Sequence, residues 1–259
     1  AVSGPDRLSW LHAITSQDFN SLRAGERVSA YILNHQGHIV HAFSGSDDGE
    51  VFHAHTEPGC RESLLAWLGK MIFAKRVRVG PVEADRADAG PPVGLWAYEA
   101  LRIAQGRPRH ILDTDEKTIP NEIAMPDGDR LGEFAHLKKG CYPGQETVAR
   151  VYNLGAPPRR LTRLLLDGSV DRLPAVGAEV CQDGDVVGRM GSSAIHHELG
   201  PIGLALLKRS LPVAATVEAE GIAASQEVIV DPEVGLHWRP PSDVSLANSG
   251  RPAPRRPLL

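Results

Sequence analysis

Along the first eighty residues, apolar positions switch between a helical and an alternating period. Leu8, Leu11 and Ile14 recur at helical spacing behind Asp6, a capping residue type, and predict a helix ending near Ser16. Val28 to Leu33 and His38 to Phe43 read as two strands joined by a turn over Asn34-His35-Gln36-Gly37. Ser46-Asp47-Asp48-Gly49 turns into a further strand through Val51, Phe52 and His53. From about Pro58 to Phe73, Leu64, Leu65, Leu68 and Ile72 make the stripe of a core-facing helix, and Arg76 to Val79 reads as a closing strand. A helix, a meander and a second helix returning to the sheet form an α+β sandwich unit.

Residues 80–94 are rich in Pro, Gly, Ala and Asp and read as a linker. A helix is predicted over Leu95 to Gln105, with Leu95, Tyr98, Leu101 and Arg102 on one side and Gly106 and Pro108 as its stop. Gln145 to Tyr152 predicts a short helix, followed by a hinge at Gly155-Ala156-Pro157-Pro158. From about residue 160 the character changes. Short apolar runs (Leu161 to Leu166, Glu179 to Cys181, Val186 to Met190, Ile202 to Leu207, Glu227 to Val230) alternate with Gly, Pro and Asp turns. That is the pattern of a small antiparallel barrel, with Asp183-Gly184-Asp185 a strong hairpin turn. From Trp238 onward, five prolines and four arginines stand among few apolar residues, so an extended or mobile tail is expected, free or lying across a neighbouring chain. The expected divisions are 1–93, 94–158, 159–231 and 232–259.

Composition narrows the class. A chain of 259 residues with 42% hydrophobic and 23% charged residues can bury a sizeable core, and with 5% aromatics that core rests on Leu, Val, Ile and Ala. A formal net charge of −4 argues against a general nucleic-acid binder. Within that acidic chain, Lys138, Lys139, Arg150, Arg159, Arg160 and Arg163 face the single acid Glu146, so this segment is either an anion-receiving surface or a solvated run. Cys60, Cys141 and Cys181 show no C-x-x-C pair, which argues against a disulfide framework or structural zinc and fits a reducing cytoplasm. No apolar run is long enough for a membrane span and no signal peptide is visible. His53 and His55 share a strand face, but no completing ligand stands at metal spacing, so no metal site is expected.

The candidate chemistry lies in Lys138-Lys139-Gly140-Cys141-Tyr142-Pro143-Gly144-Gln145-Glu146-Thr147-Val148-Ala149-Arg150. Two lysines precede the thiol and a helix start follows it, and both lower a thiol pKa. Gly140 and Gly144 remove bulk on either side. Read from the residues alone, the stretch is either an activated thiol or a tight turn with a packed cysteine. Cys60 and Cys181 read as structural.

Lys139-Gly140-Cys141-Tyr142-x-Gly144-Gln145-Glu146 resembles the signature of the YgfZ family, relatives of the glycine-cleavage aminomethyltransferase tied to assembly or repair of iron–sulfur enzymes. Gly4-Pro5-Asp6-Arg7 running to Ser16-Gln17, Trp96-Ala97-Tyr98-Glu99-Ala100-Leu101-Arg102-Ile103, and Gly200-Pro201-Ile202-Gly203-Leu204-Ala205-Leu206-Leu207-Lys208-Arg209 resemble it in the same order. The fold this implies is an aminomethyltransferase-like folate-binding α+β domain followed by the barrel. One internal unit, usual between the counterparts of Val79 and Trp96, is missing. Either the protein lacks it or the sequence at hand leaves residues out, and the opening at Ala1 favours omission. If the loss is real, the first unit should expose an apolar sheet face and pair with a second copy of the chain.

The resemblance implies Lys139 and Cys141 as the functional pair, with Lys139 holding the thiol ionised. It places Tyr142, Gln145, Glu146 and Arg150 around them, with Trp96, Tyr98, Arg102 and Glu122 also on the cofactor side and tetrahydrofolate as the cofactor. Asp113, Pro120 and Glu122 resemble the family's Asp…Pro-x-Glu segment, as ligand contact or capped turn. The implied partners are iron–sulfur enzymes or cluster carriers, met transiently. A one-carbon transferase is the alternative, yet two of its acids are replaced, by His41 in the first hairpin and by Ala104 after Arg102. A non-catalytic interaction scaffold is the third reading.

Overall fold

The structure, a computed structural model, describes residues 1–82 and 94–234. Most of the expected linker, from 83 to 93, and the expected tail from 235 onward lie outside the described residues. The chain groups into two units: residues 1–82 with 125–155, and residues 94–124 with 156–234. The expected stretch 94–158 is thus shared between them.

The first unit begins with β1 (Val2–Ser3), α1 (Arg7–Ile14), β2 (Arg27–Leu33), β3 (Ile39–Asp47), β4 (Val51–Thr56), α2 (Arg61–Lys70) and β5 (Arg78–Val79). Its sheet runs β2-β3-β4-β1-β5, so the expected meander is present and the amino terminus threads between β4 and β5. Trp10, Leu11 and Ile14 of α1 and Leu64 and Leu68 of α2 pack with Ala30, Ile32, Phe43 and Phe52, closing one core on one sheet face. Asp6 caps nothing with its side chain. Its carboxylate accepts from Arg76 N and Nη2, both at 2.9 Å. The closing strand is two residues long because its partner β1 offers only Val2 and Ser3 to pair with.

The other sheet face mixes polar and apolar positions. Cross-strand partners there are Ser29 with Ser44, Ser44 with His55, and Ser46 with His53. The Ser29 and Ser44 hydroxyls hydrogen-bond at 2.8 Å, and His53 Nε2 stands 2.9 Å from Asp48 Oδ2. Next to these polar pairs on the same face, Tyr31 opposite Ala42 is buried, its ring stacked 4.5 Å from that of Phe134, so the apolar part of this face is covered within the unit.

The chain then supplies the second unit with α3 (Leu95–Ala104) and α4 (Pro120–Ile123), before returning to the first with β6 (Pro126–Asp127), β7 (Arg130–Leu131), β8 (Ala135–His136) and α5 (Gln145–Leu154). The second unit closes with β9 (Arg159–Leu166), β10 (Glu179–Gln182), β11 (Asp185–His196), β12 (Gly200–Lys208), β13 (Val217–Ala219) and β14 (Ile222–Val228). These six form a closed barrel in the order β10-β11-β12-β9-β14-β13. Leu164, Leu166, Val180, Met190, Leu207, Val217 and Ile222 fill it. Asp183 and Gly184, at φ 52° and 90°, make the tight turn their sequence predicts.

One expected face is corrected. In α3 the buried residues are Ala100, Arg102 and Ile103, whereas Leu95, Tyr98 and Leu101 are exposed. The helix packs on β11 and β12 through a charged network centred on Arg102, which overrides the apolar stripe read from the sequence.

Candidate functional site around Cys141

In the first unit, the signature residues turn out to be a set of anchors around one exposed thiol. Lys139 is 6% exposed. Its ammonium donates to the carbonyl oxygens of His12 and, at 2.6 Å, Thr15, at the carbonyl end of α1. A cation there satisfies orphan acceptors and the negative end of the helix dipole. The same group lies 4.7 Å from the centre of the Tyr142 ring. Burial pushes the Lys139 pKa down to about 8, with the charges of Asp18 and Cys141 opposing. Tyr142 is buried, and that burial raises its phenol to about 12.

Gly144 opens α5 in the left-handed region at φ 80°. A Cβ there would stand 2.5 Å from Asn34 O and 2.9 Å from Gly37 Cα, so glycine is required both by conformation and by close approach. Gly37, at φ 83°, would in turn meet Thr147 Cβ at 2.8 Å. The signature therefore docks on the turn of the first hairpin. Val148, 1% exposed, roots α5 beneath it, and Gln145 Nε2 donates to Lys139 O at 3.3 Å. Glu146 and Arg150 are exposed on α5. Cys141 is exposed as a free thiol, while Cys60 is buried and Cys181 half-buried, also free.

The sequence reading missed two neighbours. His12, on the last turn of α1, stands with Nε2 3.7 Å from where a Gly140 Cβ would be. Its Nδ1 is 3.0 Å from Asp18 Oδ1, close enough for an ion pair but angled short of an aligned hydrogen bond. Burial, then the Lys139 charge, lowers the His12 pKa below its ordinary 6.5. No local spacing announces this pair, because α1 ends between its members.

The remaining expected residues lie in the second unit. Trp96, 74% exposed, and Tyr98 present open aromatic surface. Arg102 is buried, and its five N–H donors are all engaged inside. Nε and Nη2 donate to Glu99 Oε2, Nη1 to Asp113 Oδ2 at 2.9 Å and Arg107 O at 2.5 Å, and Nη2 also to Ser192 Oγ at 2.5 Å. Glu122, 1% exposed, accepts from Ile119 N at 3.0 Å and from Arg159 Nε and Nη2 at 2.8 and 2.9 Å. Arg159 also holds Asp115, whose carboxyl is kept below the usual range against the opposing effect of burial. These residues brace the unit from within.

That accounting also changes the basic segment. Arg159 is committed as above, Arg160 to Thr162, Leu211 O and Gln226, and Arg163 to Glu227 and Ala104 O. Lys138 pairs with Asp129 at 2.7 Å. Most of the run is internal structure, not an anion-receiving surface. Among the described residues no three His, Cys, Asp or Glu side chains gather as a metal would need, and no helix is long and apolar enough to cross a membrane.

No family model matches the chain. Among curated proteins it is 32% identical over 124 residues to a chloroplastic protein of Arabidopsis thaliana named provisionally as a transferase, covering 48% of this chain and 26% of that one. It is 31% identical over 120 residues to the mitochondrial iron–sulfur cluster assembly factor IBA57 of Homo sapiens, covering 44% of this chain and 30% of that one. The Mus musculus IBA57 protein is 31% identical over 137 residues, covering 50% and 34%. The chain thus matches about a quarter to a third of the length of these relatives. Among solved structures, the glycine cleavage aminomethyltransferase T of Bartonella henselae superposes with a TM-score of 0.68 and 17% identity, over 88% of this chain and 82% of that one. This establishes an aminomethyltransferase-like fold.

Proposed function

Starting from a chain that is a relative of the YgfZ- and IBA57-like family, we propose that it is an accessory protein in the assembly or repair of iron–sulfur enzymes, and that Cys141 is its working thiol. The observation that carries this reading is the contrast inside the signature. Lys139, Tyr142, Gly144 and Val148 are spent on holding the loop to α1 and the first hairpin, and Cys141 is left exposed. A thiol on so rigid a support can meet a soft iron centre or a sulfur donor on a partner. The Lys139 ammonium acts on it electrostatically from its seat on the α1 carbonyls, without a hydrogen bond to the sulfur.

The residues present fit tetrahydrofolate poorly as a reacting cofactor. Arg102 and Glu122 are engaged internally, Ala104 carries no acid, and His41 is buried near Trp67. No chemical step is assigned to folate. The exposed rings of Trp96 and Tyr98 are what a pterin could stack on.

Two measurements test this reading. Iodoacetamide on the native chain should modify Cys141 well before Cys60 and Cys181, and equal labelling of all three would remove the exposed working thiol. Tetrahydrofolate titrated to millimolar should quench tryptophan emission saturably if a pterin seats on Trp96, and a flat response would discard folate as a ligand.

A further inference from the structure

We propose that the loop between α2 and β5 is a docking point for an acidic partner protein, with Phe73 as the ring that enters a pocket on it. The inference concerns a surface that no role of Cys141 uses, so it stands apart from the thiol reading. Phe73 is 86% exposed, more than any other large apolar side chain among the described residues. The loop that carries it is pinned on both sides. Trp10 Nε1 donates to Met71 O at 3.1 Å, and the Asp6 carboxylate accepts from Arg76 N at 2.9 Å. Gly4 lies so close to the Arg76 carbonyl that a Cβ there would collide with it. Met71 and Ile72 pack against the core, and Val77 is buried. Between those pins Ala74, at φ 52°, turns the chain through the left-handed region. A ring carried outward on so fixed a foot has little freedom to lose on binding, which suits an aromatic anchor.

The charges beside the ring point to the kind of partner. Between Glu62 and Glu83 the sequence holds Lys70, Lys75, Arg76 and Arg78 and no acid, in a chain whose formal net charge is −4. All four cations are exposed. Arg76 is taken by Asp6 at 2.9 Å, whereas among the described residues Lys70, Lys75 and Arg78 pair with no carboxylate. Unlike the basic run from 138 to 163, this one keeps most of its charge free. Three uncommitted cations within five residues of one ring steer an acidic surface onto it and turn a basic one away. A lipid surface fits less well. With Met71 and Ile72 turned inward, the loop offers a single ring, not the apolar stripe that an interfacial segment buries.

The test puts the photoreactive p-benzoylphenylalanine in place of Phe73 in the full chain, in the source cell, and identifies the adduct by mass spectrometry. The protein found is then purified and titrated against the wild-type chain and its variants. Its cross-linked stretch should carry net negative charge. Phe73→Ala should weaken binding by about tenfold or more, and Lys75→Glu combined with Arg78→Glu by about tenfold, less so at high salt. Lys117→Glu, exposed in the second unit, should leave binding unchanged. The substituted side chains are all exposed, so urea midpoints should match wild type. Adducts confined to lipid, to a second copy of this chain or to a protein without an acidic stretch overturn the proposal. So do the absence of any adduct and a purified partner that binds Phe73→Ala as tightly as wild type. Binding to phosphatidylserine–phosphatidylcholine vesicles that Phe73→Ala abolishes would assign the loop to membranes instead.

Discussion

At the scale of single residues, the signature separates into structure and chemistry by what each group touches. Lys139, which the resemblance pairs with the thiol, gives its hydrogen bonds to the carbonyl end of α1. Lys139→Met should therefore cost about 1–3 kcal/mol in urea unfolding at pH 7. The pH dependence has a definite sign. The folded Lys139 pKa is about 8 against an ordinary 10.5, so the folded state bears the full burial penalty below pH 8 and sheds it between 8 and 10.5. Wild type should gain on Lys139→Met as pH rises through that window, and a gap that narrows would contradict the burial of a charged amine. The glycines split in the same way. Gly144→Ala meets Asn34 O at 2.5 Å in a left-handed conformation and should lose about 2–4 kcal/mol, whereas Gly140→Ala meets nothing closer than 3.7 Å and should lose under about 0.5. Comparable losses in both would mean the docking on the hairpin is misread.

At the scale of elements, α1, the meander, α2 and most barrel strands were legible in the sequence, because apolar period and turn residues decide them locally. The face of α3 was not. Leu95, Tyr98 and Leu101 look like a core stripe, yet the helix buries Ala100, Arg102 and Ile103, with Arg102 bonded to Glu99, Asp113 and Ser192. A buried ion network depends on partners 11 and 90 residues away, and no local period encodes it. The site follows the same rule. Cys141 was found from its motif, whereas His12 on α1 comes beside Gly140, with Asp18 from the following loop beside it, and the motif contains neither. The α3 network makes a prediction of its own: Arg102→Met strands buried carboxylates and should cost about 3–5 kcal/mol by denaturant unfolding, while Arg150→Met on exposed α5 should stay within about 0.5. A silent Arg102→Met would return that residue to the ligand-binding role first expected of it.

At the scale of the whole molecule, an aminomethyltransferase-like fold carries a signature in which Cys141 is a free, exposed thiol. Where the resemblance implies carboxylates for transfer chemistry, this chain has Ala104 and His41. The most direct measurement is iron–sulfur enzyme activity in the source cell when the gene carries Cys141→Ser. The account predicts activity as low as in a strain lacking the protein, with Cys181→Ser near wild type. Full activity with Cys141→Ser, at normal levels of the variant protein, would contradict it.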